Sequence, residues 1–63
     1  MKIKEAVKLL EEELKQLNVS MESRASQEIT SQVLGAYDIM SKKELKDFIQ
    51  ELHDNLPHSY FQN

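Results

Sequence analysis

Large apolar side chains recur every three or four positions along the chain, and this spacing is the feature that most restricts the fold. In the first segment the apolar seam comprises Ile3, Val7, Leu10, Leu14 and Leu17. Such spacing places side chains on one face of an α-helix, whereas a half-buried strand would alternate at every second residue. Charged residues fill most of the remaining positions. The segment therefore predicts an amphipathic helix that must pack against other elements.

Two further segments repeat this helical spacing. The second carries Met21, Ala25, Ile29, Val33, Ala36, Tyr37 and Met40 on one side, and the third carries Leu45, Phe48, Ile49, Leu52 and Leu56. The chain contains one glycine and one proline, so few residues interrupt a helix. Because Gly35 lies inside the second segment and is a poor helix former, we expect a kink or an early stop near it. Helices are predicted at approximately 2–17, 20–40 and 42–55.

Short polar signals mark the ends of these helices. Asn18 can adopt the left-handed conformation that closes a helix, and Ser20 can accept a hydrogen bond from the first free amides of the next helix. Ser41 and Glu44 form the S-x-x-E pattern of a capping box, in which hydroxyl and carboxylate each accept from a free backbone amide. Pro57 disfavours helix at the residue before it and ends the third segment.

These features predict an all-α fold in a single domain spanning 1–63. Three amphipathic helices joined by short connections form an antiparallel three-helix bundle, or a helical hairpin with a third helix packed across it. A domain of this size buries only about 60% of its unfolded surface. Without cysteine, it also has no disulfide to add stability. We therefore expect self-association to supply further burial.

Charge and composition argue against several classes of function. Eleven acidic residues against eight basic ones give a net charge of −3, whereas nucleic-acid binding relies on Lys and Arg that neutralise phosphates. A single glycine excludes the phosphate-binding loops that need several. No stretch has the apolar core of a signal peptide or approaches the roughly 18 apolar residues of a membrane span. We expect a soluble, cytoplasmic protein that binds no nucleic acid, membrane or cofactor.

No constellation of side chains predicts catalysis. The consecutive residues 11–13, all glutamate, project about 100° apart around a helix, so their carboxylates do not converge on one proton. His53, Asp54 and His58 straddle a helix end, at a spacing that does not place both imidazoles on one face. We expect no enzyme activity, no metal site and no small-molecule substrate.

A DNA-binding transcriptional regulator of the helix-turn-helix type is the main alternative. Gly35 would then be the turn glycine between two helices, and the third segment would read DNA. The basic contacts of that helix would be Lys42, Lys43 and Lys46. The same register places polar residues where the motif packs apolar side chains, namely Thr30, Ser41 and Glu44. This alternative therefore requires a departure from the packing of the motif.

Two short stretches resemble known families. Residues 26–30, Ser-Gln-Glu-Ile-Thr, resemble the Ser-Gln-Glu-Leu-Asp signature of the small helical-hairpin phosphatases that act on sporulation response regulators. The resemblance implies a hairpin with phosphatase activity, but Thr30 occupies the position of the decisive aspartate, so we expect no phosphate release. Residues 52–60 resemble the C-terminal stretch of the Hha-type helical modulators, which implies docking onto another protein.

Uncharged side chains outside the predicted core indicate an interaction surface. Leu9 projects about 120° away from the seam, where a single three-helix core does not cover it. On one flank of the second segment, uncharged side chains follow one another at heptad spacing: Ser23, Gln27, Thr30, Leu34 and Tyr37. Depletion of charge is typical of the centre of an interface. We expect Leu9 and this stripe to contact a protein partner.

The C-terminal residues carry two aromatic rings beyond the last helix. Leu56 is expected to complete the core, and Ser59 to begin a short turn. Tyr60 and Phe61 then either cover the open end of the bundle or dock on a second subunit or target. Together with the uncharged stripe, this predicts a non-catalytic protein–protein interaction or regulatory module that forms a homodimer or higher oligomer.

Overall fold

The computed structural model describes residues 1–62, and three α-helices pack against one another in it as predicted. The helices are α1 (Ile3–Gln16), α2 (Arg24–Ala36) and α3 (Lys42–Asn55). Two short 3₁₀ turns follow α2 and α3, at Tyr37–Ile39 and at His58–Phe61. The three-helix bundle is therefore confirmed.

The helices run up, down and up. The end of α2 lies beside the start of α1, because Tyr37 and Ile3 line the same groove. The start of α3 also lies beside the start of α1, because Lys42 shares a groove with Leu9. At the opposite end, Leu17 lines a groove with residues from the end of α3. The first and third helices are therefore parallel, and α2 is antiparallel to both.

The start of α2 differs from the prediction. Asn18 closes α1 in the left-handed conformation, with φ of 58°, as predicted. The N-cap of α2, however, is Ser23, whose hydroxyl oxygen accepts a hydrogen bond from the Ser26 amide at 3.2 Å. The same hydroxyl donates to the Ser20 carbonyl oxygen at 2.6 Å. A tight turn therefore precedes the helix, and the predicted start at residue 20 is wrong by about one helical turn.

The end of α2 confirms the early stop that was predicted near Gly35. The α-helix ends at Ala36, one residue after the glycine, and the chain continues as a 3₁₀ turn from Tyr37 to Ile39. Because a 3₁₀ turn winds more tightly than an α-helix, it redirects the chain towards the N-cap of α3 within a few residues. The helix predicted over 20–40 is thus shorter at both ends.

The capping box at the start of α3 is confirmed. The Ser41 hydroxyl accepts from the Glu44 amide at 3.2 Å, and the Glu44 carboxylate accepts from the Ser41 amide at 2.9 Å. Hydrogen bonds to the Glu44 carboxylate, first from the Ser41 backbone and then from the Ser41 side chain, hold the pKa of Glu44 below its ordinary value. They stabilise the ionised carboxylate because it accepts more strongly than the protonated form.

The lowered pKa of Glu44 makes the cap sensitive to acid. A carboxylate with a depressed pKa in the folded state stabilises the fold above its unfolded pKa, and this contribution is lost as pH falls through the folded pKa. Glu44→Gln should therefore lower the free energy of unfolding at neutral pH, and its difference from the wild type should shrink below about pH 4.5. Urea unfolding between neutral and strongly acidic pH measures this difference. Glu51→Gln, an exposed change on the same helix, is the control. If the difference in unfolding free energy between Glu44→Gln and the wild type stays constant with pH, the ionised Glu44 carboxylate does not stabilise the cap.

The core lies on the inner faces of the three helices. Its buried apolar side chains are Ala6, Leu10, Leu14, Val19, Ala25, Ile29, Val33, Leu45 and Ile49. Half-buried apolar residues, Leu9 and Phe48 among them, pack around this cluster. The predicted apolar faces of α2 and α3 thus meet at the centre of the bundle.

The buried face of α1 is rotated from its predicted position. Leu10 and Leu14 are buried as expected, but Ile3 and Val7 of the predicted seam are exposed. Leu9, which was predicted to project away from the core, packs against it instead. Because Leu9 and Val7 lie about 160° apart around the helix, contact with α3 on the Leu9 side leaves the Val7 side uncovered. The prediction that the core leaves Leu9 uncovered is therefore wrong, for a reason that depends on where α3 lies.

The C-terminal segment folds back over one end of the bundle. Leu56, Tyr60 and Phe61 pack against the core cluster. The Arg24 guanidinium lies 4.1 Å from the centroid of the Tyr60 ring, a cation–π contact. The ring of Phe61 meets that of His53 edge to face at a centroid distance of 5.2 Å. Of the two placements left open by the sequence, the structure has the rings over the end of the bundle.

Candidate interaction surface

Four of the residues predicted to form an interface are covered within the protomer. Leu9, Tyr60 and Phe61 are half-buried against the core. Ser23 is buried, and its hydroxyl is occupied by the cap of α2. Each of these side chains has a structural partner in its own chain, and a role for any of them in an interface stays a prediction.

The other four predicted residues lie on α2 and at the start of the 3₁₀ turn that follows it. Gln27 and Leu34 are exposed, whereas Thr30 and Tyr37 are half-buried. Leu34 is the large apolar side chain of this group that meets solvent, at 45% exposure. The stripe therefore forms part of the protomer surface, and its role in an interface stays a prediction.

Further exposed apolar residues were missed by sequence reasoning. The large hydrophobic side chains that meet solvent are Ile3 (51%), Val7 (38%), Met21 (59%), Leu34 (45%) and Ile39 (81%). Ile3 and Val7 match the helical periodicity perfectly, so periodicity alone assigns them to the core. Ala6, in the same two turns of α1, is fully buried, so position along the helix does not distinguish them either.

Three grooves follow one another along the exposed side of α1. The first, of about 570 Å³, includes Ile3, Lys4 and Tyr37 in its lining. The second, of about 300 Å³, is lined by Ile3, Lys4, Val7, Lys8 and Glu11. The third, of about 280 Å³, is lined by Glu11, Lys15, Val19 and Met21. Because adjacent grooves share residues, they form one continuous surface, which we call the α1 flank.

The α1 flank adjoins the stripe on α2. Tyr37 lies in the first groove beside Ile3. Leu34 precedes Tyr37 by three positions, a spacing that makes side chains neighbours on a helix surface. Three of the five exposed large hydrophobic residues, Ile3, Val7 and Met21, line the flank, and Leu34 lies three positions before Tyr37 of the first groove. The exposed apolar side chains are therefore concentrated on the α1 and α2 side of the bundle.

Charged side chains share the grooves of the α1 flank with its apolar residues. They are Lys2, Lys4, Lys8, Glu11, Lys15 and Asp38. The ion pairs within 4 Å among residues 1–62 are Lys43–Asp47 and His53–Asp54, both outside the flank. Charges of both signs on the flank therefore have no salt-bridge partner in the described part of the protomer.

The end of the bundle that contains His53 and His58 carries hydrogen-bonded polar side chains. Nδ1 of His53 lies 3.1 Å from the Asp54 carboxylate. This hydrogen bond, followed by one from Gln50, lowers the pKa of Asp54 below its ordinary value. His58 lines the same groove. Within residues 1–62, no three His, Asp or Glu side chains lie close enough together to hold a metal ion.

The three consecutive glutamates point in three directions, as their spacing predicts. Glu11 lines the α1 flank, Glu12 lines the groove towards Lys42, and Glu13 is buried. Their carboxylates therefore do not form a paired acid and base on one face of α1.

Of the residues considered for DNA binding, Lys42 lines a groove that shares Lys8 with the α1 flank, and Lys43 and Lys46 line none of its three grooves. Lys42, Lys43 and Lys46 are exposed at the start of α3. Gly35 lies in the last turn of α2 and not between the helices, so it does not occupy the place of a turn glycine. In the part of the chain that the structure describes, each helix is too short or too polar to cross a membrane.

Comparisons with protein-family models, curated proteins and solved structures found no match to this chain. The two resemblances seen in the sequence therefore have no wider support. In residues 26–30, Ser26 and Ile29 are buried, Gln27 is exposed and Thr30 is half-buried. The packing of α3 against both other helices also differs from the two-helix hairpin that the first resemblance implies.

Proposed function

We propose that this chain is a non-catalytic helical protein–protein interaction module that self-associates through the α1 flank and the adjoining Leu34. The observation that supports the proposal is the concentration of Ile3, Val7 and Met21 along one continuous flank of a small bundle. In this proposal the module acts in the cytoplasm, without a small-molecule substrate.

These exposed residues indicate an interaction site because they are contiguous. Single apolar side chains are common on protein surfaces and need no explanation, whereas contiguous apolar patches with a polar border are typical of interaction sites. In the α1 flank, Ile3 and Val7 are contiguous and share their groove with Lys4, Lys8 and Glu11. Association would remove these side chains from water and add burial to a core of nine buried apolar residues.

Val7→Glu tests the proposal directly. A carboxylate in the middle of the flank would have to be buried in the associated state, so the variant should remain monomeric where the wild type associates. Sedimentation equilibrium from micromolar to millimolar protein measures the mass. Leu34→Glu should weaken association in the same way. Both residues are exposed, so the helical circular dichroism of the variants should match that of the wild type.

Gln16→Glu is the matched control. Gln16 is exposed on the same helix as Val7 and, nine positions later, lies on the opposite side of it. The substitution adds the same charge, so a general effect of charge would appear in both variants. A wild type that stays monomeric across the whole concentration range would contradict self-association.

A further inference from the structure

We propose that the occupant of the α1 flank is α1 of a second copy, packed antiparallel about a two-fold axis near Val7, with Lys4 facing Glu11 of the partner subunit. The inference rests on the proposed function and specifies its geometry. It is supported by two charged residues, Lys4 and Glu11, which line the same groove as Val7 and have no salt bridge in the described part of the protomer.

Helical spacing places Lys4 and Glu11 on one line along the flank. They are seven positions apart, which is about two turns and about 10.5 Å along the helix axis. Val7 lies between them, and all three side chains line the second groove. A contact between two copies of this line therefore has Val7 near its centre, with Lys8 beside it, a positive charge at one end and a negative charge at the other.

Symmetry then selects the direction of packing. In a two-fold dimer, residue i of one protomer contacts residue j of the other, and the reverse contact is also made. An antiparallel pair centred midway between Lys4 and Glu11 brings opposite charges together twice, and brings the two Val7 side chains close to the axis. A parallel pair would place Lys4 against Lys4 of the partner subunit and Glu11 against Glu11 of the partner subunit. Like charges in contact disfavour that arrangement.

The first groove, at one end of the flank, carries charges of both signs. Asp38 lies in the first groove, at the start of α1, and Lys15 lies in the third groove, near its end. The antiparallel arrangement places the Lys15 end of one protomer over the Asp38 end of the other. Because Lys2 lines the first groove together with Asp38, Lys15 meets charges of both signs there, and the pairing of Lys4 with Glu11 of the partner subunit is what selects the antiparallel direction.

The contact should be weak and reversible. The 14 residues of α1 span about 21 Å, and a single helix flank of this length is small beside a standard interface of about 800 Å² per partner. Charged pairs at such an interface contribute more to register and specificity than to affinity. The antiparallel register should therefore respond clearly to charge reversal.

Charge reversal at the two positions tests the register. Lys4→Glu places glutamate against Glu11 of the partner subunit twice, and Glu11→Lys places lysine against Lys4 of the partner subunit twice. Each single variant should dissociate about tenfold more readily than the wild type, because two contacts change from attraction to repulsion. The double variant should recover the wild-type affinity. An equimolar mixture of the two single variants should also recover it, because one protomer then carries two acids and the other two bases.

Lys46→Glu and Glu51→Lys, at exposed positions of α3, are matched controls for the two charge changes. If the wild type associates and Val7→Glu prevents association, but neither the double variant nor the mixture recovers it, the antiparallel register is wrong while self-association stands. If the wild type remains monomeric at every concentration, the proposed function fails and this inference fails with it.

Discussion

Leu45→Ala should lower the free energy of unfolding by about 3–5 kcal/mol. Leu45 is fully buried on α3, in the cluster where all three helices meet. Removing its side chain loses the transfer free energy of the buried atoms and leaves a cavity that the surrounding helices fill only in part. Domains this small have total stabilities towards the lower end of the usual range, about 5 kcal/mol, so the variant should be largely unfolded at body temperature.

Leu34→Ala provides the matched comparison for this prediction. It removes the same atoms from a side chain that is 45% exposed, so its effect on the free energy of unfolding should be much smaller. Urea unfolding followed by circular dichroism, at concentrations where the protein is monomeric, measures both values. Equal losses at the two positions would contradict the packing of the bundle.

Replacing both terminal rings should have the second largest effect. The double variant Tyr60→Ala, Phe61→Ala removes two half-buried aromatic side chains that cover the end of the bundle. It also removes the contact of Arg24 with Tyr60 and that of His53 with Phe61. We expect the free energy of unfolding to fall by about 2–4 kcal/mol, from lost apolar burial and lost ring contacts.

Tyr60→Phe is the control for the ring contact, because it keeps the aromatic face that Arg24 covers. It should retain most of the stability that the double variant loses. Thermal unfolding of the monomer distinguishes the two placements that the sequence left open. Rings that cover their own bundle affect the monomer, whereas rings that dock on a partner affect only association. A double variant with unchanged monomer stability would contradict the position of the C-terminal segment.

The candidate surface was predictable only in part. The charge-poor stripe on α2 led to Leu34, which is exposed as expected, but the same stripe included Ser23, which is buried in a cap. Ile3 and Val7 were assigned to the core because they fit its periodicity. A helix at the edge of a small bundle has more apolar positions than its neighbours cover, and the sequence does not identify which ones remain exposed.

Local features determined the number of helices and most of their ends. The spacing of apolar residues at three and four positions predicts three helices, because the α-helix repeats every 3.6 residues whatever surrounds it. The Ser41–Glu44 capping box and the left-handed Asn18 satisfy or redirect backbone groups a few residues away, so both were predictable without knowledge of the fold.

Tertiary packing decided which direction each helix face points. Periodicity determines the angles between side chains on one helix, but not the direction in which neighbouring helices lie. Whether Leu9 or Val7 is covered therefore depended on the position of α3, and the place of Tyr60 depended on Arg24, which lies 36 positions earlier in the chain. Contacts between distant segments exist only once the chain has folded, and for this reason the structure alone decided them.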